Sequence, residues 1–159
     1  MPAYKDHLCQ SARNLKFLES VNSLATQFYD WEVTTCYYVA VHLINAHLSL
    51  YTLQLRRHYD VTTVLKTRHN EASIPRYAYC AYAKLQALSR RSRYLVDEHN
   101  ANRPSIKAFS ILDIHLSSAL KQLHVLMSFF KERYGVQFEK IKIKYPNINV
   151  DSLCYCEKR

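Results

Sequence analysis

Glycine is the scarcest residue of this chain, which has 159 residues, one glycine (Gly135) and four prolines. Sandwiches and barrels of β-strands need many tight turns, and glycine usually supplies them. The glycine-rich loops that cradle nucleotide phosphates cannot be built either. Hydrophobic residues make up 48% of the chain, too many for a disordered protein. The composition therefore predicts an all-α fold with long helices and few connections.

Acidic residues are also few, with 13 Asp and Glu against 22 Lys and Arg and a net charge of +9. No pair of Glu-x-x-His motifs occurs, so a di-iron carboxylate bundle is not expected. A strongly basic chain favours polyanionic partners, such as RNA, DNA or an acidic protein. The alternative explanation of the charge is solubility alone.

The cysteines are odd in number, which favours reduced thiols and a cytoplasmic location. The two ends offer four zinc-ligand types, and these are His7, Cys9, Cys154 and Cys156. However, Cys-x-Cys is not the usual spacing of a zinc site. We expect no metal and no other cofactor, and we expect a disordered, reduced C-terminal tail.

One apolar stretch, at 33–50, has nearly the length of a membrane span, but it contains His42, Asn45 and His47. We interpret it as part of a central helix, with both histidines hydrogen-bonded in the protein, and we expect no membrane partner. Apolar residues at helical spacing predict four helices, over 8–28, 30–57, 75–94 and 104–134.

These helices predict an up-and-down four-helix bundle over 1–135, with a long polar connection over 58–73. The second helix is apolar on two faces, which places it in the middle, and the fourth carries a heptad-like seam that Gly135 ends. Both features favour a homodimer. The segment 136–159 is predicted to be a basic extended tail.

The tail alternates apolar residues with Lys140, Lys142 and Lys144. It is free to lie along the bundle, to pair with a partner strand or to hold phosphate. Three more cations, Arg90, Arg91 and Arg93, crowd the end of the third predicted helix. His99 follows Arg93 after five residues, and arginine with histidine could stabilise and cleave an RNA phosphodiester without metal.

Two stretches resemble a known family. "DWEVTTCYYVAVHLINAHL" at 30–48 and "YAKLQALSRRSRY" at 82–94 are similar to the second-helix and third-helix signatures of bacterial HEPN-domain proteins. The resemblance implies a bundle of four to five helices, often dimeric. It also implies a ribonuclease toxin or defence effector, in some members paired with a nucleotidyltransferase-type antitoxin. In this family an arginine and a histidine separated by four to six residues form the active site, and Arg93 and His99, with five residues between them, match that pattern.

Two hypotheses follow. In the first, the protein is a homodimeric, metal-independent endoribonuclease in which His99 transfers protons and Arg93 stabilises the phosphate charge. The other RNA-binding residues would then be Arg90, Arg91, Lys140, Lys142 and Lys144. In the second, the protein is a non-catalytic HEPN module that binds a nucleotide, RNA or a protein partner.

Overall fold

The computed structural model of the chain describes residues 2–55, 57–67, 70–94, 113–144 and 152–158. Within these ranges lie α1 (Tyr4–Asn22), α2 (Tyr29–Ser49), α3 (His58–Lys66), α4 (Arg76–Tyr94), α5 (Asp113–Tyr134), β1 (Ile141–Ile143) and β2 (Cys156–Lys158). Helices account for nearly all of the regular structure in this part of the chain, so the all-α prediction is confirmed.

Helix α2 lies at the centre of the fold, as its two apolar faces predict. It packs against α1, α4 and α5. Thirteen of its 21 residues are buried, and the side that remains partly open includes Trp31, Tyr38 and His42. Within the described ranges, no helix combines the length and the apolar character that a membrane crossing requires.

The first helix begins earlier and ends earlier than predicted. The carboxylate of Asp6 accepts a hydrogen bond of 2.7 Å from the backbone N–H of Ala3. It does so from inside the first turn, because α1 already starts at Tyr4. The predicted end at residue 28 is wrong, since residues 23–28 connect α1 to α2.

Helix α2 ends at Ser49 and not at residue 57. Its end is closed by a hydrogen bond of 3.1 Å from the N–H of Leu53 to the carbonyl of Leu48. Thr52 adopts a left-handed conformation with φ of 56°, a role that glycine or asparagine usually takes. The sequence therefore carries no ordinary stop signal at this point.

The connection over 58–73 contains the nine-residue helix α3. Val61 and Leu65 are buried, and α3 packs against α4. The prediction of a long polar connection is thus corrected in part, because its few apolar residues share one side of a short helix that covers part of the core.

Helices α4 and α5 agree with the sequence patterns where they are described. The N–H of Tyr79 donates to the carbonyl of Pro75, so the proline, which is the first residue of the predicted helix over 75–94, stands immediately before α4. The seam of α5 is buried at Leu116, Ala119 and Leu123. Gly135, with φ of 65°, ends the helix. The predicted helix start at residue 104 lies outside the described residues.

The tail forms part of the core. Strands β1 and β2 pair in parallel, with Ile141 opposite Cys156, and both residues are buried. Tyr155 is also buried, and its hydroxyl donates to the carbonyl of Leu120 at 2.8 Å. The expectation of a disordered tail around Cys154 is therefore wrong. The core includes side chains from both predicted segments, 1–135 and 136–159.

The outer edge of β1 is bound by side chains of α1. The backbone N–H of Lys142 donates to Glu19 at 2.8 Å, and that of Lys144 donates to the Asn22 amide oxygen at 2.6 Å. These bonds replace a strand neighbour on that edge. Of the three placements left open for the tail, the structure shows the one along the helices.

Candidate functional site

The cationic end of α4 is the site that the sequence singled out. Arg93 is exposed, and its Nε donates to the carbonyl of Ser89 at 3.3 Å. Its guanidinium carbon lies 5.0 Å from the centre of the Tyr94 ring, an arrangement that suits a cation–π contact. His99 lies outside the described residues, so the structure describes one member of the predicted pair.

The other two arginines of this turn differ in exposure. Arg90 is exposed, whereas Arg91 is half-buried. All three cations stand where the helix dipole places partial negative charge, which explains why the last turn tolerates them. Arg90 and Arg93 are the members whose charge acts on the histidine described next.

His58, the first residue of α3, joins this basic end and was not singled out from the sequence. It is exposed, and its Nδ1 lies 3.0 Å from the hydroxyl oxygen of Tyr37 on α2. The two ring centres are 5.9 Å apart. The cluster of Tyr37, His58, Arg90 and Arg93 thus combines side chains from α2, α3 and α4. We call it the basic cluster.

The hydrogen bonds around Tyr37 determine the role of His58. Gln86 donates to the Tyr37 oxygen at 3.4 Å. The ring of Tyr82 lies 5.9 Å from that of Tyr37, and burial together with the nearby Tyr37 raises the pKa of Tyr82. With Gln86 as its donor, the Tyr37 hydroxyl can direct its own proton to His58 Nδ1. A neutral His58 then carries its own proton on Nε2.

Electrostatics keep this imidazole neutral. Burial lowers the pKa of His58, and the positive charges of Arg93 and Arg90 lower it further. The pKa of Tyr37 is raised, mainly by burial, although its hydrogen bonds and Arg93 act in the opposite direction. The hydroxyl therefore stays protonated and continues to orient His58.

The basic cluster has the chemistry of an anion site. Guanidinium groups offer planar sets of N–H donors that match phosphate oxygens, and His58 adds a neutral N–H donor. The described members of the cluster supply donors and positive charge. The proton-transferring group predicted for RNA cleavage is His99, which lies outside the described residues.

The tail lysines lie on a different part of the molecule. Lys140, Lys142 and Lys144 are exposed, and the Lys142 ammonium is 4.0 Å from Glu157. Strand β1 packs against α1 and β2, whereas α4 packs against α2, α3 and α5. The predicted RNA-binding lysines near β1 and the predicted RNA-binding arginines of α4 therefore lie on elements that pack against different neighbours.

The terminal cysteines and His7 are not brought together. The Sγ of Cys154 accepts from the Ser128 hydroxyl at 3.8 Å, and its backbone N–H donates to His124 Nδ1 at 3.0 Å. His7 instead contacts His42. Among the described residues, no group of three or more His, Cys, Asp or Glu side chains is arranged to hold a metal ion.

His47 is the buried, hydrogen-bonded histidine that the sequence predicted. Its Nε2 lies 2.8 Å from the carbonyl oxygen of Ala72, and its Nδ1 lies 2.6 Å from the Tyr134 hydroxyl. Burial lowers the pKa of His47, so it is a neutral structural residue.

No family model matches the chain, and neither the curated proteins nor the solved structures contain a significant match to it.

Proposed function

We propose that this protein binds RNA, and that the basic cluster at the end of α4 contacts the phosphate backbone. The observation that carries the proposal is the meeting of Arg90 and Arg93 of α4 with a neutral His58 of α3, which contacts Tyr37 of α2. Such a set presents several donors to one anion. The net charge of +9 adds a long-range attraction to any polyanion.

Tyr94 makes single-stranded RNA the favoured form. Its ring is 62% exposed, and Arg93 lies over it. An exposed aromatic ring beside a phosphate-binding cation can stack on an unpaired base, and paired bases do not offer that face. Lys140, Lys142 and Lys144 would extend the RNA path as a second basic surface.

A more specific form of the proposal is a HEPN-like, metal-independent endoribonuclease. It rests on the resemblance at 30–48 and 82–94 and on the spacing of Arg93 and His99. In that mechanism the 2′-hydroxyl loses its proton and attacks the adjacent phosphorus, and the P–O5′ bond breaks, which leaves a 2′,3′-cyclic phosphate and a 5′-hydroxyl. His99 transfers a proton in this step and Arg93 stabilises the phosphorane charge. The long helices would then form an up-and-down HEPN bundle that acts as a homodimer, with a nucleotidyltransferase-type antitoxin as candidate partner.

RNA binding is tested by fluorescence anisotropy with a labelled single-stranded RNA over a series of salt concentrations. We expect Arg93→Gln to weaken binding and to reduce the slope of log affinity against log salt by about one. Arg13→Gln, the same change at an exposed position of α1, is the matched control. Equal losses in both variants would mean that binding follows net charge and not the basic cluster.

Cleavage is tested separately, by expressing the wild type, His99→Ala and Arg93→Gln in bacteria and comparing growth and total RNA integrity. Fragmented RNA that both substitutions abolish supports the endoribonuclease. Intact RNA together with cluster-dependent binding supports the non-catalytic HEPN module. Intact RNA without cluster-dependent binding contradicts both forms of the proposal.

A further inference from the structure

His7 on α1 and His42 on α2 face each other across the contact between these helices. Their Nδ1 atoms are 3.3 Å apart, and their ring centres are 5.6 Å apart with a tilt of 35°. At this distance one Nδ1–H can donate to the other ring nitrogen, although the separation is just beyond the usual range of about 2.7–3.2 Å for N–H···O bonds. In a tetrahedral zinc site with Zn–N of about 2.0–2.1 Å, two ligand nitrogens lie about 3.3–3.4 Å apart.

The two imidazoles stand on rigid elements. α1 and α2 pack against each other, and core residues of each helix, such as Leu15 and Leu43, are fully or almost fully buried. His7 and His42 themselves are half-buried, so each ring is held by its surroundings and is still reached by solvent. Little conformational entropy remains to be lost when both nitrogens bind one ion.

The protonation of the pair suits a cation. Burial lowers the pKa of both histidines, and the nearness of His7 lowers the pKa of His42 further. The nearby carboxylate of Asp6 adds negative charge. In a neutral imidazole the proton can lie on Nε2. Each Nδ1 then offers a lone pair to the metal ion, and neither ring needs to lose a proton.

We propose that His7 and His42 bind one divalent transition-metal ion of the Zn²⁺, Ni²⁺ or Cu²⁺ class through their Nδ1 atoms. Imidazole is a preferred ligand of these ions. The chain supplies two ligands here, and water completes the coordination. The bound ion is therefore exchangeable and open to a donor atom from another molecule. This proposal replaces the expectation, from sequence alone, that the protein holds no metal.

The site is tested by titrating Zn²⁺ into the metal-stripped full-length chain in a calorimeter. We expect saturable binding of one ion per chain, and a loss of affinity of at least about tenfold in His7→Asn and in His42→Asn. His58→Asn removes another histidine whose Nδ1 contacts a neighbouring side chain, so it is the matched control and keeps wild-type affinity. The absence of saturable binding, or equal losses in all three variants, would overturn the proposal.

A second measurement needs no variant and so does not depend on whether the variants fold. Electron paramagnetic resonance of one equivalent of Cu²⁺ bound to the wild type should show coupling to two imidazole nitrogens. Spectra without imidazole coupling would contradict the site. Where His7→Asn folds, as circular dichroism would show, its spectrum should report one coupled nitrogen, and a spectrum identical to that of the wild type would also contradict the site.

Discussion

Glu32, in the first turns of α2, is a fully buried carboxylate. One oxygen accepts a hydrogen bond of 3.2 Å from the side-chain amide of Asn22. The other oxygen has no hydrogen-bond partner within the described part of the chain. A buried charge with incomplete solvation is costly, so burial raises the pKa of Glu32.

This shift makes stability depend on pH in a defined direction. The folded pKa of Glu32 lies above the unfolded value of 4.5. The contribution of Glu32 to stability is therefore complete below pH 4.5 and is lost as pH rises through the folded pKa. Glu32→Gln does not titrate there. In urea unfolding at a series of pH values, the variant should gain stability relative to the wild type from pH 4.5 towards neutrality. A constant difference would contradict a raised pKa.

His47 shows the opposite sign. Its pKa is lowered, so its stabilising contribution is present above the unfolded value of 6.5 and is lost as pH falls through the folded pKa. His47→Ala should cost about 1–3 kcal/mol at neutral pH, because the carbonyl of Ala72 loses its donor. Asn45→Ala, at a half-buried position of the same helix, is the control and should cost less in the same unfolding experiment.

At the scale of elements, the tail is held to the helices by specific bonds as well as by burial. Tyr155→Phe removes the hydroxyl that donates to the carbonyl of Leu120 and leaves the ring in place. We expect a loss of about 0.5–1.5 kcal/mol in the free energy of unfolding, since one buried hydrogen bond is removed while the carbonyl of Leu120 keeps its bond within α5. Tyr59→Phe, where the ring is 77% exposed, should change stability by less than about 0.5 kcal/mol. Equal effects would mean that the tail is not docked as described.

The sequence predicted those elements whose own residues carry the signal. The seam of α5 ends at Gly135, and the two apolar faces of α2 match its central position. The end of α2 could not be predicted, because Thr52 takes a left-handed conformation without glycine. The burial of the tail was also missed, since its alternating pattern is equally compatible with an exposed strand.

The same limit applies to the basic cluster. The cationic end of α4, with Arg93, is visible in the sequence because three arginines share one turn. His58 and Tyr37 lie 21 residues apart, and their contact depends on where α3 docks. No periodicity in a single sequence encodes that docking. His7 and His42, 35 residues apart, were missed for the same reason.

At the scale of the whole molecule, the heptad-like seam of α5 no longer supports the predicted homodimer. The described part of the α5 seam is buried inside the chain and is not available to a second copy. Exposed aromatic residues remain on α2, with Trp31 58% and Tyr38 42% exposed. Aromatic residues of this kind are enriched at protein interfaces.

The chain has a single tryptophan, so Trp31 reports directly on association. If a second copy covers this side of α2, tryptophan emission should shift to shorter wavelength as protein concentration rises. Trp31→Gln should weaken the dimer in sedimentation equilibrium, whereas Tyr59→Gln, at another exposed aromatic position, should not. An emission maximum that does not depend on concentration, together with a monomeric mass, would exclude this interface.

The docking of the tail also bears on how the chain folds during synthesis. Asn22 and Lys144 are bonded across 122 positions, and Tyr155 fills a site between helices that leave the ribosome long before it does. Part of the apolar surface of the helices therefore remains exposed until the last described segment has been synthesised. Contacts of such long sequence separation close slowly. Newly made chains should accordingly depend on chaperones until β2 has been translated, and translational pausing before residue 152 should favour their aggregation.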